Sequence, residues 1–137
     1  QTLTFYNAIA NNGKMVKPTL YKGETAVINP QIASKANIDS LQMALVKAVT
    51  EGLGKPAQSE KVQVAGVSGG SQISTDEDNS EGRVNTIYSV EYCGYFPAEN
   101  PKYSIIVSMN KVGLPASGNL MAGSVFKEIV NYIEATK

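Results

Sequence analysis

The 137-residue sequence contains no histidine and a single cysteine, Cys93. Without histidine there is no Ser-His-Asp triad and no Cys-His pair, and most zinc sites lose their usual ligands. One cysteine cannot form an internal disulfide, and the aromatic residues around it predict a buried thiol, which does not indicate the compartment. An enzyme built on this sequence would need a lysine, tyrosine, aspartate or glutamate as its base. No metal site and no cofactor are expected.

The sequence also lacks an excess of charge of either sign and a long apolar run. Twelve basic residues balance twelve acidic ones, so there is no positive field to gather phosphates, and nucleic acid is not an expected partner. No apolar stretch approaches the length of a membrane span, and the first residues do not form a charged leader followed by a hydrophobic block. The length suits one domain with one core rather than two domains.

Three helices are predicted from apolar residues that recur at helical spacing. The first covers residues 2–12 and ends at an Asn-Gly pair, which favours a left-handed helix end. It has no visible N-terminal cap, which suggests a helix that starts upstream and a sequence cut from a longer protein. The second covers 38–51, with Asn37 as its cap, and the third covers 119–135. The predicted inward stripe of the third helix is Met121, Val125, Ile129 and Ile133.

Three strands are predicted where the period changes to two, at 61–74, 86–96 and 102–110. The short proline-containing connection between the last two predicts antiparallel pairing. Between the first two, the acids of residues 76–81 predict a solvated loop rather than a calcium site, because they do not fall into the register that an ion loop needs. The predicted fold is therefore α+β, one domain over 1–137 with a three-stranded antiparallel sheet packed by helices.

Five segments, taken in order, are distinctive. They are LTFYNAIANNGKMVKPTLY, VKAVTEGLG, VAGVSGGSQ, CGYFPAENPKYSIIVSM and GSVFKEIVNYI. Together, from Leu3 to about Ile133, they resemble the carboxyl-terminal part of the transpeptidase domain of class B penicillin-binding proteins, which has a β-lactamase-like fold. Members of this family are serine acyltransferases that cross-link peptidoglycan and are trapped by β-lactams. The resemblance implies a stem peptide or a β-lactam as partner. It also implies the bacterial periplasm or the outer face of the inner membrane as location, with a membrane-anchored parent protein.

The resemblance also implies a position for one of the three motifs of the family. These motifs are Ser-x-x-Lys with the nucleophile, Ser-x-Asn, and Lys-Thr/Ser-Gly on a strand at the edge of the active site. The sequence is expected to begin downstream of the first two, and the third falls at Val67, Ser68 and Gly69, followed by Gly70 and Ser71. Val67 stands in the lysine's place, and Gly70 in that of a hydroxyl residue. A remnant of a substrate-binding strand is therefore expected at these five residues, with no catalytic residue in the chain.

Three other stretches match a catalytic motif by composition, and a set of aromatic residues could form a stacking platform. SVFK, from Ser124 to Lys127, has the Ser-x-x-Lys pattern, but the same helical turn carries predicted core residues, so a structural role is expected. SMN at 108–110 and SGN at 117–119 match Ser-x-Asn, a pattern that is common at strand ends and turns. The aromatic residues of the later strands are expected to form core pairs rather than a stacking platform. These are Tyr88, Tyr92, Tyr95, Phe96 and Tyr103.

Two hypotheses of different classes follow for the function. The first is a fragment of a peptidoglycan D,D-transpeptidase that is catalytically inert by itself. The alternative is a non-enzymatic α+β module that binds a peptide or protein by strand addition beside Val67 to Ser71. An active enzyme that uses Ser124 and Lys127 is kept only as a hypothesis to test. Because the family's sheet has two further strands from upstream, the strand Ile105–Met109 is expected to be an open edge that supports a homodimer.

Overall fold

A computed structural model of the chain describes residues 1–23, 25–78 and 83–137. The described α-helices are α1 (Thr2–Ala10), α2 (Lys35–Thr50) and α3 (Gly123–Ala135). The strands are β1 (Met15–Val16), β2 (Val27–Asn29), β3 (Ala65–Asp78), β4 (Arg83–Phe96) and β5 (Tyr103–Val112). A 3₁₀ turn covers Lys55–Ala57, and a π-helical turn, Gly118–Ala122, leads into α3. Strands β1 and β2 form a small hairpin, and β3, β4 and β5 form an antiparallel sheet in that order. The predicted α+β class and three-stranded antiparallel sheet are confirmed.

The ends of the first two helices follow from local side chains. Asn12 and Gly13 have φ angles of 54° and 94°, and the N–H of Gly13 donates to the carbonyl of Ala8 at 2.8 Å, which ends α1 with left-handed residues. Helix α2 begins earlier than predicted, because Ser34 and not Asn37 is its cap. The Oγ of Ser34 accepts from the N–H of Asn37 at 3.3 Å. The side-chain oxygen of an N-cap residue typically accepts a hydrogen bond from the backbone N–H two or three residues further along the helix.

The two faces of the sheet are covered by different helices. One face lies under α3, and its buried residues include Tyr92, Phe96, Phe126 and Val130. The other face lies under α1 and α2, and its buried residues include Ile9, Leu45, Ala65 and Tyr95. Gln42 of α2 donates to the carbonyl of Ile9 in α1 at 2.7 Å, which joins the two helices of the second face. Because side chains alternate along a strand, neighbouring residues of β3 face different helices.

Helix α3 turns toward the sheet a stripe that is shifted from the predicted one but still includes Ile133, which packs against the core cluster. Phe126 and Val130 are fully buried, whereas Val125 is 39% exposed. The ring centroid of Phe126 lies 5.0 Å from that of Tyr92 and 6.5 Å from that of Phe96. An aromatic ring removes more apolar area from water than a valine side chain does, so Phe126 determines which side of the helix faces inward.

Strands β3 and β4 extend into the stretch that was predicted as a loop. Strand β3 begins at Ala65 rather than at 61 and ends at Asp78 rather than at 74, and β4 begins at Arg83 rather than at 86. The register continues to the pair Asp78 and Arg83. Cross-strand pairing therefore prevails here over the low strand propensity of acidic residues. Residues 79–82, which belong to the predicted loop and to the rejected calcium site, lie outside the described residues.

Strand β5 forms the second edge of the sheet. It pairs with β4 from Tyr103 to Val112, and among the described strands it has no partner on its other side. Asn7 of α1 donates to the Oγ of Ser104 at 3.0 Å, so α1 rests against this strand. The open edge expected at Ile105–Met109 is therefore present in the described sheet, and the homodimer remains a prediction.

Two features are missing from the described part of the chain. Over residues 1–23, 25–78 and 83–137, no helix has both the length and the apolar character to cross a bilayer. In the same ranges, no group of three or more cysteine or acidic side chains is placed to hold a metal ion.

Candidate functional site

The stretch Val67 to Ser71 lies on β3, at a free edge of the sheet. Among the described strands, β3 pairs only with β4. Val67 and Ser68 are half-buried, whereas Gly69, Gly70 and Ser71 are exposed. A free strand edge presents backbone N–H and C=O groups to which an extended peptide can add as a further strand. The stretch thus has the geometry of a strand-addition site.

Val67, which the sequence resemblance aligns with a motif lysine, faces the side of the sheet covered by α1 and α2. It packs against the cluster that contains Ala65, Tyr95 and Leu45. Its partner in the register is Cys93, which is only 4% exposed. This position therefore contributes apolar packing, and its side chain carries neither a charge nor a hydrogen-bond donor.

Ser68 faces the opposite side, where it meets the turn before α3. A Cβ at Gly118 would lie 2.9 Å from the Cβ of Ser68 and 2.6 Å from the carbonyl oxygens of both Gly69 and Glu91. A side chain at Gly118 would collide with these backbone atoms, so a glycine is required for this close approach. The turn before α3 therefore packs directly on the candidate strand.

Gly69 leaves open space on the α1–α2 side of the strand. A Cβ at Gly69 would meet no atom within 4 Å. Its partner in the register is the half-buried Glu91, and the partner of Glu91 on β5 is Ser108. The Oγ of Ser108 donates to Oε1 of Glu91 at 3.1 Å. The carboxylate of Glu91 therefore lies in the row of Gly69, on the side of β4 that faces β5. Glu91 could not be identified from the sequence, because its place in the row of Gly69 depends on the register between β3 and β4.

Cys93 lies on the same face, opposite Val67 in the register. Burial, and after it the charge of Glu91, raise the pKa of its thiol to about 12, although a hydrogen bond from the backbone of Gly94 acts in the opposite direction. A thiol with this pKa is neutral at physiological pH and is not a nucleophile. The one cysteine of the chain is therefore a packing residue, as its sequence context predicted.

The hydroxyls of the three apparent motifs serve local structure. Ser124 lies on the exposed side of α3, and its Oγ donates to the carbonyl of Leu120 at 2.7 Å. Ser117 accepts from the N–H of Leu120 at 3.2 Å and caps the turn before α3. Ser108 donates to Glu91. The structural roles expected for SVFK, SMN and SGN agree with these contacts.

Most of the aromatic cluster is core. Tyr92, Tyr95 and Phe96 are fully buried, which confirms the prediction for these three residues. Phe96 also stacks on Tyr103, with ring centroids 5.2 Å apart, although Tyr103 is 41% exposed. Buried rings cannot stack on a ligand, so Tyr92, Tyr95 and Phe96 hold the sheet together rather than form a binding platform.

The fold agrees with what comparison with known proteins shows. The family model described as "Penicillin binding protein transpeptidase domain" matches residues 1–131. The chain belongs to this family, and the resemblance seen in the sequence is confirmed. A search of the curated proteins gave no match.

Solved structures of bacterial proteins are similar over 98% of this chain. The transpeptidase domain of the FtsI4 D,D-transpeptidase from Legionella pneumophila has 28% identity and a TM-score of 0.67, with 45% of that chain covered. The transpeptidase domain of penicillin-binding protein 3 from Burkholderia pseudomallei has 22% identity and a TM-score of 0.72, with 40% covered. A putative peptidoglycan glycosyltransferase from Atopobium parvulum has 22% identity and a TM-score of 0.70, with 32% covered. The last two support the fold alone, and this chain spans less than half the length of each.

Proposed function

We propose that this chain is the carboxyl-terminal part of a peptidoglycan D,D-transpeptidase domain, that it supplies the domain's ligand-binding edge strand, and that it has no acyl-transfer chemistry of its own. One observation carries the proposal. At Val67 to Ser71, where the motif is expected from the resemblance, β3 has a free edge among the described strands, and Gly69 and Gly70 on it are exposed. The family match over residues 1–131 supports the same assignment.

Ligand binding at this edge would use the backbone of β3. An extended stem peptide, or a β-lactam that mimics one, would add beside Gly69 and Gly70, where the absence of side chains allows close approach. In the family, the motif lysine holds the carboxylate of the ligand, and Val67 cannot do so. A charge-assisted hydrogen bond of this kind contributes roughly 1.5–3 kcal/mol, so its loss weakens binding about ten- to a hundredfold. Weak binding of the carboxylate form is therefore expected.

Ser68 lacks the neighbours that would make it a nucleophile. A serine needs an adjacent base, and its row in the register consists of Ser68, Tyr92 and Val107. Burial, with a smaller effect from Cys93, raises the pKa of Tyr92 well above its ordinary value. Tyr92 is therefore protonated at neutral pH and cannot accept the proton of Ser68.

Intact-mass spectrometry after long incubation with a labelled penicillin tests the absence of acyl transfer. We expect no covalent adduct on this chain, with the Burkholderia pseudomallei domain as the positive control. A stoichiometric adduct would overturn the proposal. Its loss in Ser124→Ala would assign the chemistry to the SVFK helix, and its loss in Ser68→Ala would assign it to the edge strand.

The proposal places the chain where peptidoglycan is built, in the bacterial periplasm or on the outer face of the inner membrane, within a membrane-anchored parent. A stand-alone module that binds peptides by strand addition would use the same edge of β3. The coding region upstream of Gln1 separates the two. Upstream Ser-x-x-Lys and Ser-x-Asn motifs with a signal anchor support the transpeptidase, whereas a start codon or an unrelated domain there contradicts it.

A further inference from the structure

One charged side chain stands beside the proposed ligand edge, on the face that carries Gly69. The rows of the register around the edge cover 65–72 on β3, 88–95 on β4 and 104–111 on β5, all of them described. The charged residues in these rows are Glu91 and Lys111. Lys111 lies on the opposite face, in the row of Gln72, and its Nζ donates to the carbonyl of Gly113 at 3.5 Å. On the Gly69 face of these rows, the charge is therefore that of Glu91 alone.

The path from Glu91 to a ligand on this edge crosses only a glycine. Strands in a sheet lie roughly 4.8 Å apart, so an added strand would run about 10 Å from β4, with β3 between them. At Gly69 no side chain fills this distance, and the space above it is open. Ser108, on the far side of β4 from β3, holds the carboxylate of Glu91 on the same face through its hydrogen bond, so a ligand cation must reach over Gly69 toward β4. A lysine or arginine side chain of the ligand is long enough to cross a glycine toward the carboxylate.

The field of Glu91 already acts on this face. Its charge is the second contribution, after burial, to the raised pKa of Cys93, which neighbours Val67 in the register. Val67 supplies no positive charge that would offset it. A ligand group beside Gly69 therefore meets a negative potential, the opposite of what the family's lysine would provide.

We propose that the edge of β3 selects extended peptides that place an ammonium or guanidinium group beside Gly69 and disfavours a free carboxylate there, and that Glu91 sets this preference. The inference rests on the proposed function, since it assumes strand addition at β3. The charge preference of this edge is then opposite to that of the family's lysine-containing strand. The peptide backbone still pairs with β3, but the recognised group is positively rather than negatively charged. The separation is near the screening length of roughly 8 Å at physiological salt, so we expect about two- to fivefold steps in affinity.

Three peptides that differ only at the C-terminal end test the preference. The first ends in D-Ala-D-Ala with a free carboxylate, the second is its carboxamide, and the third is the carboxamide with D-Lys as last residue. Dissociation constants come from NMR titration of the amides of Gly69 to Gln72. We expect the D-Lys amide to bind most tightly and the carboxylate least tightly. The order should collapse in Glu91→Gln, and in the wild type at about 0.5 M salt.

The control variant is Glu128→Gln, which removes an exposed carboxylate on α3 and should leave the order unchanged. Glutamine at position 91 can still accept from Ser108, so the fold should persist, and the salt titration of the wild type gives the same answer without any substitution. Equal affinities for the three peptides, or an order that survives in Glu91→Gln, would overturn the inference while strand addition stands. If no peptide moves the amides of Gly69 to Gln72, strand addition itself fails.

Discussion

Gly118 lies directly on Gly69: a Cβ added to Gly118 would be 2.6 Å from the carbonyl oxygen of Gly69. The turn before α3 therefore packs closely against the candidate ligand strand. Both partners in this contact are backbone, which cannot move aside as the end of a flexible side chain can. The position of α3 and the position of the strand edge are consequently linked.

The first prediction concerns this contact. Gly118→Ala should lower the free energy of unfolding by about 1–3 kcal/mol, because an inserted methyl group must displace backbone atoms. Urea denaturation measures the change. Gly69→Ala is the matched control, since its new methyl group would meet no atom within 4 Å, and it should leave stability nearly unchanged. Equal stabilities of Gly118→Ala and the wild type would show that the turn does not bind the strand as closely as described.

The second prediction concerns alkaline pH. Burial raises the pKa of Cys93 from 9.0 and that of Tyr95 from 10.0, each to about 12. The unfolded chain therefore releases these protons at lower pH than the folded chain does, and stability that is complete below pH 9 is lost as the pH rises from about 9 to 12. Urea unfolding across this range should show a falling midpoint. In Cys93→Ala, the urea midpoint should fall less at the lower end of this pH range. A wild-type midpoint that does not depend on pH would contradict the buried, neutral state of both groups.

The residues that could be predicted from the sequence are those with local causes. The Asn-Gly end of α1, the period of the strands and the glycines of the edge strand are all visible in short windows. Glu91 and Gly118 were not visible, because each acquires its role only when β3, β4 and the turn before α3 come together. The stripe of α3 was predicted only in part, since Ile133 packs against the core whereas Val125 does not. Spacing alone did not weigh the large ring of Phe126 against the smaller side chains around it.

The third prediction concerns the open edge of β5. Its apolar, β-branched segment Ile105–Met109 has no partner strand in the described sheet, and such an edge templates pairing with a second chain. We expect an antiparallel homodimer at micromolar concentration in light scattering, and a monomer for Ile106→Lys, whose fold is checked by circular dichroism. Leu20→Lys is the control, because Leu20 is 99% exposed and lies outside the strand. A wild-type chain that stays monomeric as its concentration rises would refute the open-edge dimer.

The fourth prediction restores the missing charge. In Val67→Lys, the new side chain can lie along the apolar cluster and extend its ammonium group to the strand edge. It should bind the carboxylate of a D-Ala-D-Ala peptide weakly, without turnover, because no nucleophile and base are added. Glu91 lies near position 67 in the register and would pair with part of the new charge. The gain in affinity should therefore be larger in Val67→Lys combined with Glu91→Gln than in Val67→Lys alone.

NMR titration of Val67→Lys with that D-Ala-D-Ala carboxylate is the most direct test that β3 is the family's ligand strand. We predict that the amides of Gly69 to Gln72 shift at millimolar peptide, that those of Ile105 to Met109 on the opposite edge do not, and that the shifts exceed those of the wild type. Amides at Gly69 to Gln72 that do not move under these conditions would contradict the assignment of this edge as the ligand-binding strand.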